Sequence, residues 1–129
     1  MVAFALLMLT GCGSQDASAV DQQGVMLKSA AAEAELLAEG AASGRYASAF
    51  VQVEAGNLAD DAQGIESSLA DSRVEPGARA AADRLRAAAA RLAALMKRLE
   101  ESPENRALAS QLQTQLDQLQ ASLTRTSSS

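Results

Sequence analysis

Residues 76–100 read PGARAAADRLRAAAARLAALMKRLE. Within this stretch Ala78, Leu85, Leu92 and Leu99 recur every seven residues, and Ala81, Ala88 and Leu95 form a second row. That is the spacing of a helix presenting an apolar seam to a neighbour, and alanine in the seam lets the neighbour come close. Pro76 suits the first turn, where its missing N–H is no loss. The spacing therefore predicts a helix from Pro76 to about residue 101. Arg84, Arg91 and Arg98 also recur every seven residues, each just before a seam leucine, which places them at the edge of the seam.

The same reading extends in both directions. Downstream, Ser102-Pro103-Glu104 reads as a cap, a first helical proline and an acid matched to the helix dipole. A further helix should follow, with Leu108, Leu112, Leu116, Leu119 and Leu123 as its stripe and a frayed tail over 124–129. Upstream, residues 45–72 place Tyr46, Phe50, Val53, Leu58, Ala62, Ile65 and Leu69 at helical spacing. Before that, a helix over about residues 21–43, capped by Ser18 or Asp21, carries Met26, Ala30, Glu33, Leu37 and Ala41 on one side with Leu36 beside them. Gly44 stops it as a left-handed cap. Breaks near 44, 73–75 and 102 leave room only for short loops, and short loops make successive helices antiparallel neighbours. The expected fold is all-α: a small antiparallel bundle over 21–126, four helices running up-down-up-down. The alternative is a three-helix bundle in which the first two segments join as one bent helix through Gly44.

Composition agrees with helix throughout. The 129 residues are 48% apolar but only 2% aromatic, and two are proline. Much of the apolar content is alanine, the strongest helix former, which buries little area per residue. The core should be thin and closely spaced. Net charge is −5, unevenly distributed: residues 1–72 hold two basic residues against ten acids, and 73–129 hold nine against six. The two halves look suited to pair within the molecule. A nucleic-acid binder would be basic overall, so none is expected as a partner.

One cysteine excludes an internal disulfide, and the absence of histidine removes the commonest general base and transition-metal ligand. No Glu-x-x-His pair, haem-attachment run or glycine-rich phosphate loop occurs. The two lysines, Lys28 and Lys97, sit in no motif. The chain is expected to be no enzyme and to need no metal or cofactor. One polar stripe stands out. Glu54, Asn57 and Asp61 follow at helical spacing beside Phe50, and an antiparallel turn near residue 74 brings Arg91 level with them. The expectation is an interhelical ion-pair ladder that fixes register; the alternative is a polar site for a cation or small ligand.

The N-terminus carries a different message. Residues 2–9, VAFALLML, are an unbroken apolar run, shorter than the roughly 20 residues that span a bilayer but suited to a signal peptide. Leu9-Thr10-Gly11-Cys12 follows directly. This resembles the lipobox of bacterial lipoproteins. The resemblance implies recognition through Leu9, Thr10 and Gly11, diacylglycerol on the Cys12 thiol, cleavage before Cys12, and a mature protein anchored to a membrane by acyl chains. Residues 13–19 then read as a flexible tether, with the signal at 1–11 and the lipidated cysteine and tether at 12–20. Lipoprotein signals carry Lys or Arg before the apolar run and this chain has none, so the expectation is a start placed too far downstream or a truncated gene. Gly13 rather than aspartate after the cysteine mildly favours an outer membrane in a two-membrane host. The expected function is a lipid-anchored envelope lipoprotein, facing the periplasm or cell exterior, that serves a protein partner as an adaptor or structural bundle. The alternative is a small-ligand or cation-binding helical lipoprotein assisting a transporter or sensor.

Overall fold

The structure, a computed structural model, describes residues 17–70 and 73–128; the lipobox residues Leu9, Thr10, Gly11 and Cys12 lie outside them. Four helices follow one another: α1 (Ala17–Ser43), α2 (Ser48–Leu69), α3 (Arg79–Glu101) and α4 (Arg106–Ser128), with a 3₁₀ turn (Pro76–Ala78) leading into α3. Each helix packs on the next, α4 returns to α1, and α1 also touches α3 across the diagonal. Cross-links fix the directions. Gln23, early in α1, reaches Ser68, late in α2, and Gly44, just past the end of α1, lies against Arg106, the first residue of α4. Gly24 of α1 lies against Leu85, early in α3. The bundle therefore runs up-down-up-down.

Gly44 separates α1 from α2 and removes the bent-helix alternative. Its φ of 75° is the left-handed turn that glycine adopts without Cβ strain. The Arg45 N–H donates to the Gly40 carbonyl at 2.9 Å and the Gly44 N–H to Ala41 at 3.2 Å. This pair of bonds is the Schellman closure of a helix end.

The interior is built more from alanine than the large residues suggest. In α1 the buried seam is Val20, Leu27, Ala34 and Ala41 every seven residues, with Gly24, Ala31 and Ala38 as its second row. Of the stripe read from the sequence, Ala30, Leu37 and Ala41 are buried, but Met26, Glu33 and Leu36 face out. The helix also begins at Ala17, four residues before the expected start, and Val20 at the end of the expected tether is buried. In α2, Leu58, Ala62, Ile65 and Leu69 are buried as expected; Phe50 and Val53 are not, and Val51, Ala55 and Ala59 take their place. Tyr46 precedes α2 and is also exposed.

Helices α2 and α3 make the closest pair. Buried alanines at 55, 59 and 62 on one and at 82, 89 and 93 on the other permit it. The seam of α3 holds at Ala78, Leu85, Leu92 and Leu99; of the expected second row Leu95 is buried and Ala81 and Ala88 are half-buried, while Ala82, Ala89 and Met96 are buried beside the seam. Helix α4 starts later than Pro103 suggests. Ser102, ahead of the proline, leaves helical geometry (φ −139°, ψ 61°). Asn105 then caps α4, its Oδ1 accepting the Leu108 N–H at 3.0 Å. Leu112, Leu116, Leu119 and Leu123 are buried, Leu108 only partly, and the helix continues to Ser128 through the stretch expected to fray. No polar or charged side chain is buried among the described residues.

Candidate functional site

The large apolar side chains that the core does not use are gathered in one half of the chain. Val25 (63% exposed), Met26, Leu36 (61%), Tyr46, Phe50 and Val53 (60%) are the exposed large hydrophobics among the described residues, and all precede residue 54. Helices α3 and α4 contribute none. Five of the six line an open crevice between α1 and α2. Its wider stretch, about 570 Å³, has Val25, Met26 and Ala30 on the α1 side and Gly64 and Ile65 on the α2 side. A narrower stretch of about 240 Å³ holds Leu36, Tyr46, Phe50 and Leu58. Glu33 lines both, so the two stretches meet there.

Two local contacts bound the crevice. At one end Gln23 Nε2 donates to Ser68 Oγ at 3.5 Å. At the other, the Tyr46 ring lies directly over Gly40, where any Cβ would collide with it. Phe50 meets that ring edge-on, centroids 5.2 Å apart at 62°. This is the geometry the opposed edge and face charges of two rings favour. Glycine at 40 thus buries its own backbone under Tyr46 and holds the aromatic pair at the crevice wall.

The rim is acidic. Glu33, Glu54, Asp60 and Asp61 line the two stretches, and no Lys or Arg does. The polar stripe read from the sequence is therefore split. Glu54 and Asp61 stand on the α1 side of α2, with exposed Asn57 between them in helical register. Arg91 lines a separate crevice of about 310 Å³ between α3 and α4, with Arg84, Leu119 and Leu123. No ion pair joins Arg91 to Glu54 or Asp61. Buried alanines fill the α2–α3 contact between them, so Glu54 and Asp61 line the α1 side of α2 while Arg91 lines the α4 side of α3. Sequence spacing locates the acids correctly but not the helix they face.

Arg45 pairs with Glu39 at 3.5 Å, both about half exposed or more, a kind of contact worth under about 1 kcal/mol. On the α4 side of α1, Gln120 donates to Glu35. Desolvation, then the charges of Asp117 and Glu39, push the Glu35 carboxyl above the usual carboxylate range. Among the described residues no three His, Cys, Asp or Glu side chains converge as metal ligands, and no helix is long and apolar enough to cross a membrane.

What these features define is a four-helix bundle with one apolar, acid-rimmed face. No protein-family model, curated protein or solved structure matches the chain.

Proposed function

We propose that the chain is a lipid-anchored lipoprotein of the bacterial cell envelope whose bundle acts without catalysis, as an adaptor holding a protein partner on its α1–α2 face. The anchor rests on the Leu9-Thr10-Gly11-Cys12 box after the apolar run. Two or three acyl chains, at roughly 0.8 kcal/mol per buried CH₂, keep such a protein on its membrane. The observation that supports the binding role is the collection of exposed Val25, Met26, Leu36, Tyr46, Phe50 and Val53 on one half of the chain. Scattered surface leucines mean little, whereas a contiguous apolar patch marks an interaction face. The crevice is open along its length, which suits a helix or strand of a partner better than a small molecule, most of whose surface must be enclosed.

The anchor is tested by feeding cells labelled palmitate. The wild-type chain should take up label and sediment with membranes, and Cys12→Ala should lose both. An alanine variant that remains labelled and membrane-bound contradicts the reading.

A further inference from the structure

We propose that the occupant of the α1–α2 crevice is a basic amphipathic helix of another protein, lying along the crevice with its apolar ridge on Met26, Leu36 and Phe50 and its Lys or Arg residues against Glu33, Glu54 and Asp61. This rests on reading the α1–α2 face as the binding surface and adds the chemistry of what binds there.

Length supports a helical occupant. Val25 and Leu36 are eleven residues apart on one helix, about 17 Å at 1.5 Å per residue, so the crevice accommodates about three turns. Helix-in-groove recognition uses this arrangement, apolar anchors at successive turns entering an apolar trough. Charge decides the flanks. Four carboxylates line the trough and no cation does. An acidic or neutral partner would desolvate these carboxylates without replacement, whereas Lys and Arg flanks replace the lost water with charge-assisted hydrogen bonds.

The other occupants fit less well. Two copies meeting face to face across α1–α2 would match apolar to apolar but bring the four carboxylates of each against those of the other. A head-to-tail copy would offer Arg84 and Arg91 from its α3–α4 side, but that side exposes no large apolar residue to fill the trough. An anionic membrane surface would repel the acidic rim.

The chain contains one tyrosine and no tryptophan, so its intrinsic fluorescence reports on Tyr46 alone, at the crevice wall. The test titrates the full chain with a peptide of about fourteen residues, Leu and Lys at helical amphipathic spacing and free of aromatics, and with its Leu/Glu counterpart. The Leu/Lys peptide should change Tyr46 emission saturably, and the Leu/Glu peptide should not. Reversing the rim with Glu54→Lys/Asp61→Lys should weaken the Leu/Lys peptide at least about tenfold and admit the Leu/Glu peptide. Reversing two acids away from the crevice, Glu101→Lys/Glu104→Lys, should leave affinity unchanged at the same net charge. If both peptides bind equally and Leu36→Ser/Met26→Ser abolishes both, the docking face stands and the basic partner is overturned. If neither peptide binds, or if sedimentation shows a dimer that Leu36→Ser/Met26→Ser dissociates, the helix-binding proposal fails.

Discussion

Gly40 and Tyr46 act as a single unit: the residue with no side chain allows the only tyrosine to lie flat, and Phe50 then braces the ring. Two effects oppose each other in Gly40→Ala. Alanine gains about 0.5–1 kcal/mol of helix propensity, and the displaced ring gives up packing. Because Tyr46 is 40% exposed, its ring can swing away, so the melting temperature should barely change while tyrosine emission moves toward that of the free amino acid. Unchanged emission would show that the ring does not rest on Gly40. Gly44→Ala behaves differently. A left-handed φ costs a residue bearing Cβ about 1–2 kcal/mol, and the new methyl would also press on the Arg106 guanidinium. Thermal unfolding should register that loss in full. Of these two glycines only Gly44 is legible in the sequence, because a helix stop between two apolar repeats is a local signal. Gly40 sits mid-pattern, and its role depends on a ring six residues away that folds back over it.

At the scale of elements, α3 is the part most readable from sequence. Its leucines and arginines segregate to different sides, so the period alone fixes the buried face. Leu92 is fully buried in mid-seam, and Leu92→Ala should cost about 2–5 kcal/mol in denaturant unfolding. A loss below about 1 kcal/mol would mean that the seam repacks around the cavity. Helices α1 and α2 are readable as helices but not in orientation. Ranking by size puts Met26, Leu36, Phe50 and Val53 inside, whereas the core selects Gly24, Ala31, Ala34, Ala38, Ala55 and Ala59 because only small residues allow the helices to approach so closely. Three of those large residues, Met26, Leu36 and Phe50, line the candidate site, so the misread face and the proposed binding face coincide. The α1–α4 contact supports a pH prediction. A carboxyl whose pKa is raised on folding holds its proton more tightly in the native state, so its ionisation opposes folding at neutral pH and the penalty disappears on acidification. Glu35→Gln should raise the melting temperature at pH 7, keep the bond from Gln120, and lose its advantage as pH falls through the carboxylate range. An advantage independent of pH would point to packing instead.

For the whole molecule, the stripe acids of the first half and the seam-edge arginines of the second do not meet as expected. Arg84 and Arg91 stand on one side of the bundle and Glu33, Glu54 and Asp61 on the other. The fold class and helix order were open to sequence reading because they depend on local caps and periods. The site was not, since it depends on which helix each face meets. Under the proposed function a partner occupies the α1–α2 face of the bundle. The most direct measurement places a photoreactive benzoylphenylalanine at Leu36 in the crevice and, separately, at Lys97 on the exposed surface of α3, in cells carrying the native envelope. Position 36 should give a discrete protein adduct that Glu54→Lys/Asp61→Lys suppresses, and position 97 should not. Equal adducts at both positions, or an adduct at 36 indifferent to the charge reversal, would contradict the claim.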